Sequence, residues 1–546
     1  MGDESANWWR SFTNSLPPKQ ILIPLALVLA VVLVYSPVSE HGFLRWDDNN
    51  YITDNPHVTV GLSAANIAWA FKETGIFYWH PLTWMSHMTD VQLFGARAGS
   101  HHAVNLILHA INVLLLFFLL YKGTGAFWRS SMVAALFAFH PLNVETVAWL
   151  SERKSLLSAL FSFLTIAAYG WYVAKPAAKR YALVALAFLA ALMSKPMAVT
   201  LPVLLLLIDV WPLRRRGQEN PPSWGRLVLE KVPLLLMSVG STVITIIGQR
   251  AVGAFATTGT IPLGMRIEQA FVSYVVYLRK LILPTDLAAF YPYHPKWIPI
   301  LQLAGAILLL VAITAAAIRG RKTGYLIVGW LFFVLALGPV TGILQAGYVV
   351  IADRFAYIPA IGIFVAAVWG CAALVEKAHV PRMIPAVAGC VLVAVFAFAS
   401  YHYVQYWRNG VVLFTRAAQV EKTPEPMIEN LLADALLVSN RMDEAFEHYK
   451  RSCELNEKQD LCHFNMAEIL FVRYDVQGAL QHYLLAGTYT KDANIALHCL
   501  LGSGEAMLRL GDVAGAQRQY GYALSIDPSN ETARRALMQI RAMAGQ

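Results

Sequence analysis

Long apolar segments dominate this chain of 546 residues and limit the folds open to it. A helix that crosses the hydrocarbon core of a bilayer needs about 20 mostly apolar residues. About eleven segments approach that length and composition, namely 20–36, 103–121, 131–140, 155–174, 181–194, 197–213, 227–248, 300–318, 324–340, 355–375 and 383–402. Only 14% of the residues are charged, against about a quarter in soluble proteins. The sequence therefore predicts an all-α polytopic membrane protein and excludes soluble, disordered and fibrous classes.

Lysine and arginine predict the orientation of these helices. Alternate short loops carry basic clusters, such as those at 214–216 and 319–322. By the positive-inside rule, these loops and the N-terminus are cytoplasmic, and an odd number of spans places the C-terminal region outside. The first apolar run, from Ile21 to Val34, lacks a small-residue cleavage pattern and is predicted to be a retained span. Segment 266–283 contains four charged residues and is predicted to be an amphipathic helix in the outer interface.

Residues 410–546 are more strongly charged and contain an internal repeat. In each copy a small residue is followed four positions later by a tyrosine. The three pairs are Ala445 and Tyr449, Ala479 and Tyr483, and Ala516 and Tyr520. The first two copies are 34 residues apart, which is the period of the tetratricopeptide (TPR) repeat. We therefore predict two domains: a transmembrane domain over 1–409 and a solenoid of three TPR units over 410–546, outside the cytoplasm.

The five cysteines form no CxxC motif. Cys371 and Cys390 fall in apolar runs and are predicted to be inert. Cys453, Cys462 and Cys499 fall in the C-terminal domain. We interpret them as small packing residues of helices rather than as a disulfide pair.

Two adjacent carboxylates, Asp47 and Asp48, follow the first span beside Trp46. One interpretation is a solvated loop in which one of them caps a short helix. The other is a general base held at the outer surface of the membrane. The residues themselves leave both interpretations open.

Four basic residues lie in short loops or at span ends on the predicted outer side, where the positive-inside rule makes them rare. They are Arg153, Lys154, Lys195 and Arg354. Each could snorkel to the interface, and Arg354 could simply pair with Asp353. Together, however, they would stabilise an anionic lipid headgroup such as a phosphate.

Several expected signatures of other functions are missing from the sequence. The histidines at 80, 101, 102 and 109 match no metal-binding motif, and we interpret them as hydrogen-bonded interface residues. There is no P-loop, GxSxG or GxGxxG motif, so nucleotide-driven chemistry is unsupported.

The order of the short motifs is similar to that of a known family. They are Asp47-Asp48, Trp79-His80-Pro81-Leu82-Thr83, Asn105 with His109, His140-Pro141 with Glu145, Ser194-Lys195-Pro196, and Asp353-Arg354 with Tyr357. With the C-terminal repeats, this order resembles the transmembrane-and-TPR O-mannosyltransferases and their bacterial relatives, which are GT-C glycosyltransferases. The resemblance covers nearly the whole chain.

The resemblance implies an inverting transferase with a GT-C-like fold. It would move a single sugar, with mannose as one candidate, from a polyprenyl-phosphate carrier to hydroxyl groups of exported proteins at the outer face. Asp47 matches the position of the catalytic acidic residue, with Asp48 as its neighbour. The four basic residues would hold the lipid phosphate. Contacts with substrate would come from Glu145, His140, His80 and Tyr357, and Glu145 would bind sugar hydroxyls or orient Arg153.

This interpretation also sets expectations for ligands, partners and location. No metal site and no cofactor beyond the polyprenyl-phosphate-linked sugar are predicted, and dependence on a divalent metal stays open. The partners would be the lipid carrier and an exported acceptor protein bound by the TPR face, without nucleic acid. The predicted location is the bacterial inner membrane, with the N-terminus cytoplasmic and the TPR domain periplasmic. Two alternatives stay open: a lipid-linked oligosaccharide ligase or polymerase, and a non-enzymatic TPR scaffold anchored in the membrane.

Overall fold

Helices make up the regular secondary structure of the described part of the chain, which contains no strand. The computed structural model describes residues 18–76, 78–251, 261–292, 296–343, 349, 351–421 and 423–544. The chain divides into two compact units, Met1–Asn409 and Gly410–Gln546. The prediction of an all-α protein is confirmed.

Eight helices in the described ranges are long and apolar enough to cross a membrane, which identifies an integral membrane protein. They are Ile21–Glu40, Ala98–Thr124, Leu150–Ala174, Pro196–Gly217, Val232–Arg250, Ile300–Arg319, Ala360–Lys377 and Met383–Trp407. Phe127–Phe139 and Pro141–Ala148 meet at a bend of 54° and form a ninth span if they are taken as one.

The number of spanning helices is lower than the predicted eleven because some apolar runs form shorter helices. Segment 181–194 lies mostly in the helix Ala178–Leu192, which has 15 residues. Segment 324–340 forms the helix Tyr325–Leu337, which has 13 residues and is extended by a short 3-10 turn. Both are shorter than the about 20 residues that a span requires.

Two segments between the spans form additional helices. The loop after the first span contains Pro56–Thr59, Ala64–Lys72 and Pro81–Phe94. Tyr51, Trp84 and Met88 belong to a small hydrophobic core, so this loop is a folded segment. The predicted amphipathic segment forms the helix Leu263–Ile282, which is not among the spanning helices of the described chain.

A buried ion-pair network connects two of the spans. Asp209, near the end of the helix Leu201–Val210, lies against Lys231, just before the helix Val232–Ala251. The hydroxyl of Tyr169 donates to the same carboxylate at 2.7 Å. Arg215 pairs with Glu230, with 2.6 Å between Nη1 and Oε2. Each charge in this network therefore has a partner, as burial of ions demands.

The second unit is a linear array of helices in which each helix packs against the next. They are Gly410–Val420, Pro426–Val438, Met442–Leu455, Asp460–Val472, Val476–Tyr489, Ala493–Arg509, Val513–Ile526 and Glu531–Ala544. The small residues and tyrosines of the three repeat copies are all buried. At Gly502 an added Cβ would lie 2.5 Å from Cζ of Tyr483, so the tyrosine ring needs a small residue opposite it. This packing agrees with the helix pairing that a TPR repeat requires, and the TPR assignment itself stays a prediction.

The cysteine interpretation is wrong for two residues. Cys453 and Cys462 form a disulfide that links the end of one helix to the start of the next. Because nine positions separate them across a turn, no helical periodicity indicated their proximity. The other three cysteines, Cys371, Cys390 and Cys499, are free thiols.

Candidate active site

A cluster of buried charges surrounds Glu152 in the first unit. The ammonium of Lys195 lies 3.0 Å from Oε2 of Glu152, and that of Lys154 lies 3.3 Å from Oε1. Nε of Arg354 also lies 3.3 Å from Oε1. Three of the four cations predicted to hold a lipid phosphate therefore converge on one carboxylate.

Three members of this cluster lie in or directly before a short turn that precedes an apolar helix. Lys154 is instead the second residue of the helix Arg153–Ala174. Glu152 ends the 3-10 turn Leu150–Glu152, and Arg354 lies in the turn Asp353–Ala356. Lys195 precedes Pro196, and the proline favours the extended backbone that Lys195 adopts (φ −157°, ψ 130°). Glu152 was not among the predicted site residues. The sequence feature that could have indicated Glu152 is the run Ser151-Glu152-Arg153-Lys154 at the start of an apolar span, where ionisable residues are costly.

Arg354 is held by a second carboxylate as well. Its backbone N–H donates to Oε2 of Glu145 at 2.8 Å, and its guanidinium pairs with the other oxygen of that carboxylate. The predicted role of Glu145 in orienting Arg153 is therefore wrong, because its partner is Arg354. Asp353 does not pair with Arg354 either. It lies 3.3 Å from the ammonium of Lys280.

Aromatic rings form the floor of the cluster. The guanidinium carbon of Arg354 lies 5.1 Å from the ring centroid of Trp149. Trp46 stacks on Trp149, with 4.5 Å between the two ring centroids and an angle of 11° between the planes. This stacking connects the loop after the first span to the cations.

The two adjacent aspartates have different surroundings. Asp48 is fully buried and accepts hydrogen bonds from the backbone of Leu44 at 2.9 Å and from Ser151, whose N–H and hydroxyl lie at 3.1 and 2.7 Å. Burial raises the pKa of Asp48 to about 6, and these hydrogen bonds oppose the rise. Asp48 therefore fastens its loop to the turn that contains Glu152.

Asp47 is half-buried, and its carboxylate makes no hydrogen bond or ion pair with any described residue. Burial raises the pKa of this carboxyl, whereas the nearby charges of Lys154 and Arg354 lower it. Asp47 therefore offers a free carboxylate beside the cationic cluster, which is the property that a general base needs.

Arg153 points away from the cluster, unlike its neighbour Lys154. Its Nη2 lies 2.8 Å from Oδ2 of Asp90 and also donates to the carbonyl of His101 at 2.8 Å. Its Nη1 donates to Ser86, and its Nε donates to Asn105. Because this guanidinium is buried and each of its three nitrogens donates a hydrogen bond, the structure does not bring Arg153 to the predicted phosphate site.

A possible metal site next to Arg153 fits poorly. Donor atoms of His87, Asp90 and His101 lie within 4.8 Å of one another. The guanidinium of Arg153, however, already pairs with Asp90 Oδ2. A second cation at the same oxygen would be repelled, so this group is better described as a hydrogen-bonded network.

The other residues predicted to contact substrate, His80, Tyr357 and His140, have different neighbours. His80 stacks on Tyr51, with ring centroids 5.4 Å apart, and the Tyr51 hydroxyl lies 3.3 Å from the ammonium of Lys154. Tyr357 bonds to His109 at 2.8 Å and also lines the cavity described below. His140 is held by backbone groups: its Nε2 donates to the carbonyl of Leu281 at 3.0 Å. The structure therefore keeps His140 apart from the cluster.

Two adjoining cavities connect the cations with an apolar region. The first is lined by Lys195, Arg354 and Ser155 and by apolar side chains. The second shares Phe163, Ile166 and Phe332 with it and extends to Trp211. The arrangement suits a ligand that has an anionic head and an apolar tail.

Sequence comparisons agree with the resemblance described above. No family model matches the chain. Over 199 residues it is 30% identical to "Protein O-mannosyl-transferase Tmtc1" of Drosophila melanogaster, which covers 35% of this chain and 23% of that protein. It is 30% identical to "Protein O-mannosyl-transferase TMTC1" of Mus musculus over 143 residues, or 24% of this chain and 15% of the relative. A match to "Protein O-mannosyl-transferase TMTC3" of Mus musculus shows 31% identity over 136 residues, or 23% and 14% of the two chains. The aligned stretches thus span less than a quarter of these curated relatives, and the chain is similar in sequence to protein O-mannosyl-transferases over that part.

Proposed function

We propose that this protein is a membrane glycosyltransferase that transfers one sugar from a polyprenyl-phosphate carrier to hydroxyl groups of proteins. The names of the similar proteins support a transferase that acts on proteins. The observation that carries the proposal is the carboxylate of Asp47, which has no hydrogen-bond or ion-pair partner among the described residues and is acted on by the charges of Lys154 and Arg354. A base next to a site for an anionic leaving group is what this reaction requires.

The donor phosphate is proposed to bind to Lys154, Lys195 and Arg354. Lys195 and Arg354 line the first cavity, so both are accessible to a ligand within it. The apolar walls shared by the two cavities would take the first part of the prenyl chain. Glu152 holds the three cations in place before the donor arrives, which reduces the reorganisation that binding requires.

The transfer is proposed to be a single displacement. Asp47 accepts the proton of the acceptor hydroxyl as the oxygen bonds to the anomeric carbon. The bond between that carbon and the phosphate oxygen breaks at the same time, which inverts the configuration. The departing phosphate gains negative charge, and the three cations stabilise it. Arg153 is reassigned from phosphate ligand to a positioning residue that anchors the start of its helix.

The second unit is proposed to bind the acceptor protein. A linear array of paired helices presents an extended surface of the kind that repeat proteins use to bind polypeptides. In this proposal the reaction takes place at the outer face of a bacterial inner membrane, with the N-terminus in the cytoplasm and the helical array in the periplasm.

The proposed base is tested with Asp47→Asn in liposomes that contain a labelled polyprenyl-phosphate monosaccharide and a cell-envelope extract. We expect the variant to transfer sugar about 10²- to 10⁴-fold more slowly than the wild type, because it lacks a general base. Asp54→Asn, which changes an exposed acid of the same loop, is the matched control and should keep wild-type activity. Size-exclusion profiles show whether both variants are folded.

Other outcomes would contradict separate parts of the proposal. Wild-type rates from a folded Asp47→Asn variant would exclude Asp47 as the base. Transfer from lipid-linked oligosaccharides, but from no monosaccharide donor, would favour the ligase alternative.

A further inference from the structure

A group of sulfur and imidazole atoms lies in the second unit, outside the proposed active site. Cys453, Cys462 and His463 place their donor atoms within 4.8 Å of one another, and all three residues are buried. Nδ1 of His463 lies 3.5 Å from Sγ of Cys453. It also lies 2.9 Å from Nδ1 of His482, which is on the next helix, Val476–Tyr489. Three possible metal ligands therefore lie together, and the imidazole of His482 adjoins one of them, His463.

A backbone contact orients His463 for ligation. Its Nε2 lies 3.0 Å from the carbonyl oxygen of Glu457. Because a carbonyl only accepts, Nε2 carries the hydrogen, and the Nδ1 lone pair of the neutral ring points towards Cys453 and His482. Metal-bound histidines are typically held in this way, with the distal N–H bonded to a carbonyl or carboxylate.

Two of the observed separations are close to those of a tetrahedral zinc site. With Zn–S bonds of about 2.3 Å and Zn–N bonds of about 2.05 Å, the ligand atoms lie about 3.6 Å (S to N) and about 3.4 Å (N to N) apart. The contact between Cys453 and His463 already has the first spacing, at 3.5 Å. The two imidazoles, at 2.9 Å, need to separate by only about half an ångström. The main change is that the disulfide must open. A disulfide alone does not require two imidazoles beside it.

We propose that the reduced form of this cluster binds one Zn²⁺ through Cys453, Cys462, His463 and His482. The disulfide form and the zinc form are then alternative states of the second unit. This inference is independent of the proposed transferase activity.

The interconversion has a simple balance of atoms and electrons. A dithiol reductant transfers two electrons and two protons to the disulfide, which yields two cysteine thiols and an oxidised reductant. Zn²⁺ then displaces one proton from each thiol and binds both thiolates and both neutral imidazoles. An oxidising compartment favours the disulfide, and a local supply of reductant favours the metal-bound form.

The test uses the full chain in detergent. Cys371, Cys390 and Cys499 are replaced by serine, so that Cys453 and Cys462 are the only remaining thiols. The protein is reduced, the reductant is removed without oxygen, and Co²⁺ or Zn²⁺ is titrated. We expect one metal per chain, with the thiolate-to-cobalt absorption of a tetrahedral site, and no stoichiometric binding to the oxidised protein.

His482→Ala tests whether the second imidazole is a ligand, and His498→Ala is the matched control at an exposed histidine of the next helix. We expect His482→Ala to weaken zinc binding at least about tenfold and His498→Ala to leave it unchanged. Both variants should still form the disulfide in air, as shown by alkylation and mass measurement, which separates loss of a ligand from unfolding. Equal zinc affinity of the two variants, or no stoichiometric binding by the reduced protein, would overturn the proposal.

Discussion

The charge of Lys195 offers a direct test of the proposed phosphate site. Burial lowers the pKa of this ammonium to about 8, since attraction by Glu152 only partly compensates and Lys154 repels it further. A lysine is charged below its pKa and neutral above it. The proposed donor is a phosphodiester, which stays ionised throughout this range. As the pH rises through about 8, the donor should therefore lose one of its cationic partners.

The size of this effect follows from the pKa. Lys195 is half charged at its pKa of about 8, and roughly one tenth of it is charged one pH unit higher. An unperturbed lysine, with a pKa of about 10.4, would still be almost fully charged there. If only the charged form binds the donor, kcat/KM falls about fivefold over the first pH unit above the pKa and about tenfold over each unit after that.

The assay measures kcat/KM for the donor between about pH 6.5 and about pH 9.5, because this ratio reports the ionisation of the free enzyme. Lys195→Arg is the informative variant, since a guanidinium stays charged over the whole range. We expect its activity at neutral pH to be lower, because an arginine fits this site less well, but its alkaline decline to disappear. If kcat/KM declined at the same alkaline pH in both proteins, the reasoning would be refuted, because another group would then be titrating.

Three further predictions concern the packing around the site. Arg153→Met should reduce the free energy of unfolding by about 3–5 kcal/mol, because it removes the guanidinium that pairs with the buried carboxylate of Asp90. Thermal unfolding in detergent measures this, and an unchanged melting temperature would contradict the role given to Arg153. Gly362→Ala should destabilise the protein because an added Cβ would collide with the carbonyl oxygen of Gly329. Gly370→Ala, on the same helix, should be tolerated because the nearest atom to an added Cβ lies 3.8 Å away. Similar melting temperatures for the two variants would contradict this packing. Phe332→Trp should raise KM for a long-chain donor without changing kcat, because Phe332 lines both cavities; an equal rise for a donor with a short chain would show that the tail does not lie there.

Much of the architecture was predictable because long runs of apolar residues indicate segments that lie in lipid. Runs of about 20 apolar residues have few alternatives to a spanning helix. The prediction was less accurate for the short runs, such as the one that forms Tyr325–Leu337, because 13 residues suit either a short span or a buried helix.

The candidate site was predicted in outline. Lys195 and Arg354 were recognisable because cations on the predicted outer side of a membrane protein are unusual. Arg153 and Lys154 could not be told apart, since successive residues of a helix point about 100° from each other and their partners are remote in sequence. The carboxylate that holds Arg153 lies 63 positions away. Asp48 was indistinguishable from Asp47 for the same reason, because its partner Ser151 lies 103 positions away.

The buried network around Asp209 also constrains how the protein enters the membrane. Asp209 and Arg215, whose Nη1 lies 3.4 Å from Oδ1 of Asp209, leave the ribosome before Lys231. Until Lys231 follows, the carboxylate lacks the nearer of its two cationic partners. A carboxylate in a spanning helix costs up to about 3 kcal/mol during insertion, and this cost is larger while its pairing is incomplete. We therefore expect the segments Pro196–Gly217 and Val232–Arg250 to partition into the bilayer together, as a hairpin whose ion pair forms during biogenesis. The network would then first favour the joint insertion of these two segments and later stabilise the folded protein.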